Sequence, residues 1–204
     1  MQMKQIRLAM FAAALVAGSA FAAQPFVGPS VGLSVSSVHT DVDFSGGLNN
    51  SMSSNRTAFD LNAGYGMELA PKVVLNGAMS INLNQPSAGS LGYSSTNSVT
   101  GKFKDRWSLS LAPGYLITPK LMAYGKVAYQ YANIEVNDSA FPAQGAQTLH
   151  FHGWGYGIGV AYAPVDHLET SLEVQKTEYS TQRMNASTGR PTTTAVTLGA
   201  AWRF

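Results

Sequence analysis

Cysteine is absent from this chain of 204 residues. That excludes disulfides, thiol nucleophiles and thiolate metal sites. Charge is scarce as well: Asp, Glu, Lys and Arg make up 12% of the residues, against roughly 25% in soluble domains. Past the N-terminus no apolar run is long enough to span a bilayer as a helix. The formal net charge of +2 overstates the basicity, because Lys4 and Arg7 belong to an N-terminal leader. Without them the 13 Lys and Arg fall to 11, equal to the 11 Asp and Glu. A balanced, charge-poor chain gives no reason to expect nucleic acid as a partner.

What is present is alternation. In the final stretch, Val196, Leu198, Ala200, Trp202 and Phe204 share one parity, and Thr197, Gly199, Ala201 and Arg203 share the other. Successive side chains of a strand point to opposite faces, so one face is apolar and ends in two aromatics. The same pattern recurs upstream. A first strand reads from Phe26 to Val38, where Val27 to Val35 at odd positions face Gly28 to Ser36 at even ones. Phe59, Leu61, Tyr65 and Met67 oppose Asp60, Asn62, Gly64 and Glu68. Leu75, Met79 and Ile81 oppose Asn76 and Ser80, and Trp107, Leu109, Leu111 and Tyr115 oppose Arg106, Ser108 and Gly114. Val127, Tyr129 and Tyr131 oppose Tyr124, Lys126 and Gln130. Trp154 to Tyr162 oppose Gly153 to Ala161, and Leu172 and Val174 oppose Glu169, Glu173 and Gln175. Eight strands result. Pro113 lacks a donor, so a bulge is expected there.

The connections alternate in length. Pro71, Pro119 and Pro164 each sit in a short turn, whereas residues 39–56, 85–104, 137–147 and 180–190 read as long polar loops. All long loops therefore lie on one side. A soluble barrel fills its interior with bulky apolar side chains. Here the bulky face is set against Gly, Ser, Ala, Asn and charges, so the bulky face points outward into lipid. The expected fold is all-β: a closed antiparallel eight-stranded transmembrane β-barrel with four long external loops and three short periplasmic turns.

Met1 to Ala23 reads as a secretory leader, with Lys4 and Arg7 before the apolar Leu8 to Val16 and a small-x-small site at Ala20-Phe21-Ala22. The expected division is a signal peptide over residues 1–22 and the barrel over 23–204.

The leader, the alternating strands, the proline-containing turns and the terminal Trp202-Arg203-Phe204 resemble the small outer-membrane β-barrels: the OmpA transmembrane domain, OmpX and the Opa-type proteins. The resemblance implies a place in the cell outer membrane, among lipid and lipopolysaccharide. It implies that Val196, Leu198, Ala200, Trp202 and Phe204 form the signal read by the barrel-assembly machinery. It further implies a monomer, with host molecules or phage as ligands of the external loops. With no peptidoglycan-binding segment after the barrel, a stand-alone barrel is expected.

Seven charged residues fall on the inward parity: Asp60, Glu68, Arg106, Lys126, Glu169, Glu173 and Arg203. Enclosed charges are costly unless paired, so a lumen charge network is expected. It serves either as a filled polar core or as an ion pathway. His150 and His152 share a face near the loop side. The outer-membrane lipid A deacylases resemble this chain in size and use a His-x-Ser pair, but here the sequence reads His150-Phe151-His152-Gly153, without the serine. Two histidines alone make a poor metal site, so no enzyme, cofactor or metal is expected. Lys102 and Lys104 are candidate contacts for lipopolysaccharide phosphates. Tyr65, Tyr115, Trp154, Tyr162 and Trp202 read as interfacial belts. The expected role is envelope-structural or surface-interacting. A narrow porin-like channel and a lipid A-modifying enzyme are the alternatives.

Overall fold

A computed structural model describes residues 25–46, 51–84, 87–92, 98–138, 147–184 and 187–204. The leader lies outside the described residues. The ten strands, in chain order, are β1 (Gly28–Gly46), β2 (Ser51–Ala70), β3 (Val73–Asn82), β4 (Ser87–Gly92) and β5 (Ser98–Thr118). They continue with β6 (Leu121–Asp138), β7 (Gln147–Val165), β8 (Leu168–Tyr179), β9 (Gln182–Met184) and β10 (Ser187–Arg203). Eight of them form one antiparallel sheet in the order β1-β2-β3-β5-β6-β7-β8-β10. The sheet closes on itself where β10 pairs with β1, from Ser30 opposite Arg203 to Gly46 opposite Ser187. Closure leaves no sheet edge for lipid to meet. The two short strands attach outside this circuit, β4 to β5 and β9 to β10.

Parity holds as the sequence implies. On β7, Trp154, Tyr156, Val160 and Tyr162 are exposed, and Ile158 reaches 72% exposure. The inward positions between them are glycine because the lumen is crowded: a Cβ on Gly159 would lie 2.5 Å from the Tyr124 ring. On β8, Leu172 and Val174 point out while Glu173, Gln175 and Thr177 are buried. Along β10, Val196, Leu198, Ala200, Trp202 and Phe204 are all exposed and Arg203 is buried.

Three short turns join β2 to β3, β5 to β6 and β7 to β8. Lys72 and His167 sit in two of them with φ of 68° and 72°, a left-handed conformation uncommon for residues other than glycine. The His167 turn is tied to the last strand. His167 Nδ1–H donates to the Arg203 carbonyl at 2.8 Å, the Arg203 N–H donates to the His167 carbonyl at 2.7 Å, and the imidazole stacks on Trp202.

Three expectations are corrected. First, the stretches taken as loops are largely strand. β1 runs on to Gly46, β2 starts at Ser51, β5 starts at Ser98 and β6 ends at Asp138. Beyond the bilayer both faces meet water, so a strand there needs no apolar parity and its sequence looks like a loop. Second, Phe26 does not begin the first strand. It lies in a turn before β1, 1% exposed, in a cluster with Val74, Met122, Ala161 and Ala163. Third, no bulge occurs at Pro113. The β5–β6 register is the same on either side, Leu111 opposite Val127 and Gly114 opposite Tyr124. The pairs Ala112–Lys126 and Pro113–Gly125 drop out of the ladder, because both require a donor on residue 113 and proline has none. The Gly125 carbonyl thus lacks its ladder partner, and on the outer face a Cβ at Gly125 would meet nothing within 4 Å.

Replacing Pro113 by Ala supplies the missing N–H. The expected outcome is slower hydrogen exchange at the Gly125 and Val127 amides in detergent micelles. The variant should also be more stable to denaturant by roughly 1 kcal/mol, the net worth of one hydrogen bond.

Candidate functional site

The inward parity builds three ion pairs at three heights. Nearest the short turns, Arg203 Nη2 meets Glu169 Oε2 at 2.5 Å, while its other nitrogen, Nη1, donates to the Gly28 carbonyl at 3.0 Å. Arg203 also reaches Asn76 Oδ1 at 3.3 Å. At mid-height, Lys126 Nζ donates to Glu173 Oε1 at 2.9 Å, and the Tyr124 hydroxyl donates to Oε2 at 3.1 Å. Higher still, Arg106 Nη2 faces both Asp60 oxygens at 3.4 and 3.5 Å, and Asn82 Nδ2 donates to Asp60 Oδ1 at 2.8 Å. Each carboxylate thus has a cation, and two of the three accept an additional side-chain donor. This is the condition under which enclosed charges are tolerated.

Neutral polar groups fill the space between. Asn62 bridges β1 to β3, donating to Ser34 Oγ at 3.0 Å and accepting from Ser80 Oγ at 2.6 Å. The Tyr179 hydroxyl donates to Gln130 Oε1, and Thr177 Oγ1 accepts from both Gln130 and Gln175. A cavity of about 70 Å³ remains, bordered by Ser36, Asp60, Arg106, Lys126, Glu173 and Thr197 among others. That is room for a handful of water molecules.

Apolar side chains close this polar section at the end nearest the short turns. The floor is the Phe26, Val74, Met122, Ala161 and Ala163 cluster, with Leu116 packed against it. Toward the long connections, Val38, Ala132, Phe151 and Tyr179 are all buried at inward positions.

Six of the seven charges expected in the lumen, namely Asp60, Arg106, Lys126, Glu169, Glu173 and Arg203, are in these pairs. Glu68 is not. It shares the inward parity but lies beside the Glu68/Ala70 irregularity at the end of β2 and is exposed. There it is past the floor and meets water. Sequence parity placed the charges, and put Asn76, Tyr124 and Gln130 on the same face, but did not name the neutral groups that bond the charges: Tyr124 to Glu173, Asn82 to Asp60 and Asn76 to Arg203. All three share the inward parity, which is the signal that finds them. His150 and His152 are exposed on the outer face. His150 Nδ1 lies 2.6 Å from Asn133 Oδ1 and 3.0 Å from the Tyr131 hydroxyl. Among the described residues no three His, Asp or Glu cluster as metal ligands. Lys102 and Lys104 belong to the part of β5 beyond the barrel, and their side chains lie outside the described residues.

Outside, aromatic rings gather at two levels. Trp107, Tyr129, Tyr131, His150 and Trp154 form a continuous series toward the long connections, with centroids 5.5 to 6.2 Å apart. Tyr65, Tyr115, Tyr162, Trp202 and Phe204 are exposed toward the short turns. Val196 to Phe204 spans roughly 26 Å along the strand at about 3.3 Å per residue. Tilted, that matches an apolar band of about 25 Å or a little less.

The family model of the outer membrane protein β-barrel domain matches residues 8–204. The chain belongs to that family. Its fold is therefore that of a cell outer membrane barrel, with short turns on the periplasmic side and long connections on the external side. No curated protein matches the sequence. Among solved structures, Ail, the attachment invasion locus protein of Yersinia pestis, is similar at 15% identity and TM-score 0.52. The match covers 87% of this chain and 99% of Ail. A second Ail structure, in complex with the heparin analogue sucrose octasulfate, matches with the same score and identity. Neisserial surface protein A is similar at 13% identity and TM-score 0.52, over 85% of this chain and 97% of that one.

Breaking one lumen pair separates pairing from mere polarity. Lys126→Met leaves Glu173 enclosed without its cation and should cost about 3 kcal/mol in denaturant unfolding. Adding Glu173→Gln should recover most of that loss. Glu68→Gln should stay within about 0.5 kcal/mol of the parent, as a surface substitution does.

Proposed function

We propose that this barrel is a non-enzymatic surface-interaction protein of the outer membrane, working through the strands that project from its external end. The observation that carries this reading is the filled lumen, with an apolar floor of Phe26, Val74 and Met122 and, toward the external end, Val38, Phe151 and Tyr179 buried at inward positions. Above the floor the paired charges are mutually neutralised. Such an interior stabilises the barrel and fixes its strand register; it offers no wide path for solutes. The external strands are long, polar and accessible. That Ail, which shares the fold, was solved in complex with a heparin analogue supports an extracellular ligand for this chain.

The rest of the reading rests on the leader sequence and on the resemblance to the small outer-membrane barrels. The leader directs export and is cleaved after Ala22. The barrel-assembly machinery takes the chain through the outward residues Val196, Leu198, Ala200, Trp202 and Phe204, and the product is a monomer. Lys102 and Lys104 meet lipopolysaccharide phosphates above the membrane. His150, engaged with Asn133 and Tyr131, serves as a rim residue. These roles supply no nucleophile for a lipid A-modifying reaction.

Two measurements test the proposal. In planar bilayers the purified protein should give no stable step of wide-porin size; Phe26→Ala with Met122→Ala should raise leakage, and a large conductance in the parent would overturn the closed lumen. On bacterial cells, replacing residues 41–53 by Asn-Gly should abolish adhesion to host-cell monolayers while leaving the barrel folded. Unchanged adhesion would remove the surface role from this arm.

A further inference from the structure

The enclosed charges of the lumen do not balance. Among the described residues, Arg56, Arg106, Lys126 and Arg203 hold inward positions that are buried or half-buried, against Asp60, Glu169 and Glu173. Three pairs form from these seven, and Arg56 is in none of them. Glu68 does not supply the missing anion, because it lies exposed at the far end of β2. Arg56 makes no hydrogen bond or ion pair with any described residue, and its Nε is shielded from water without a partner. A shielded donor left unbonded costs the desolvation of that group. An anion from solution would remove the cost.

Three strands build the wall around Arg56. Its neighbour on β1 is Val38, and one strand further, on β10, stands Ala195. The next inward row toward the outside is Ser54, Thr40 and Thr193. Rows on one face of a strand are about 6.6 Å apart, a gap that an arginine side chain spans. The guanidinium and the three hydroxyls therefore share one patch, and all four residues are half-buried. The Ser54 and Thr40 hydroxyls have no hydrogen-bond partner among the described residues. The row on the other side of Arg56 differs, since there Ser36 and Thr197 are already bonded to each other at 2.9 Å. Space adjoins the patch. The cavity of about 70 Å³ is lined on this wall by Ser36, Val38, Thr193, Ala195 and Thr197. β3 ends at Asn82, opposite Asp60, and Arg56 lies about 13 Å further out along β2. It thus stands above the continuous wall, open to external solutes.

From this arrangement we infer that Arg56, with Ser54, Thr40 and Thr193, is a binding site for a small carboxylate in the external mouth of the lumen. The ligand class follows from charge and shape. The enclosed set lacks one negative charge, and a monoanion completes it. A dianion such as inorganic sulfate would overshoot and leave an uncompensated charge again. A carboxylate presents two oxygens in one plane, which the guanidinium fork meets with parallel bonds. Its remaining lone pairs accept from the hydroxyl row. Chloride offers no second oxygen and no direction. Lipid headgroups meet the outer face of the wall, whereas this patch is on the inner one. The site stands apart from the surface-interaction reading, which needs only the projecting strands.

The test uses the full chain in micelles of an uncharged maltoside. Sodium acetate is the probe, and sodium chloride at equal ionic strength is the comparison. Acetate should shift the Arg56 Nε–H resonance saturably, together with the Thr40 and Ser54 amides, and chloride should not. Arg56→Gln should weaken acetate binding about tenfold, read on the Thr40 and Ser54 amides, as expected for losing a hydrogen bond to a charged group. Thr40→Val removes one hydroxyl and should weaken it about threefold. Arg190→Gln removes an exposed cation that pairs with Glu178 on the outer face, and it should bind acetate as the parent does.

An equal response to chloride would overturn the proposal. So would acetate binding that survives Arg56→Gln, or that falls as far in Arg190→Gln. A site that takes sulfate in preference to acetate would overturn the carboxylate assignment. If Arg56→Gln does not fold, judged by heat-modifiable gel mobility, the comparison of acetate with chloride on the parent protein decides the matter.

Discussion

Hydrocarbon offers no partner to a backbone N–H or C=O, and each such group left open there costs several kcal/mol. Through the membrane-spanning section this chain meets that demand with one ladder, closed by the pairing of β10 to β1. Closure fixes the two faces. The outer one has to be apolar, so bulky side chains go outward. The inner one is narrow, since eight strands leave an interior just wide enough for side chains to fill. Glycine opposite Tyr124 and paired charges in the lumen are consequences of that width. The inside is polar because the apolar side chains have been claimed by the outside.

Once a lumen holds charges, it must hold them in neutral sets. The three pairs join β2 to β5, β6 to β8 and β8 to β10. All three thus act as cross-ties between strands that the ladder alone relates. A register slip of one residue would exchange the faces of a strand, driving a charge into lipid and an aromatic into the lumen. The pairs are therefore as much a device for specifying register as a contribution to stability. The apolar floor and their burial within the lumen set them apart from surface pairs, which are worth little.

The parts of this arrangement legible in the sequence are those set by the membrane. Lipid imposes a strict alternation, so strand parity, the eightfold count and the inward placement of Asp60, Arg106, Lys126, Glu169, Glu173 and Arg203 can be read residue by residue. Which charge meets which cannot be read. Pairing across the lumen depends on which strands lie opposite one another, and a linear pattern is silent on that. Phe26 escapes for a different reason. Its parity differs from that of Val27 and its odd-numbered companions, but a parity argument assumes a strand, and the chain there turns under the barrel. Glu68 has the correct parity and the wrong height, because nothing in alternation marks where the lumen ends.

The external strands show the same physics with the constraint lifted. The ladder is complete where lipid surrounds it, apart from the pairs lost at Pro113, and it parts at Asn82 on one seam and near Ser180 on another. Trp107, a member of the external aromatic level, pairs with Ile81, the residue just before that first parting. The wall therefore stops being continuous at the height where water becomes available to satisfy the backbone. Above it, open edges cost little in stability and become available for contact. The position of the seam follows from the solvent on either side of the barrel wall.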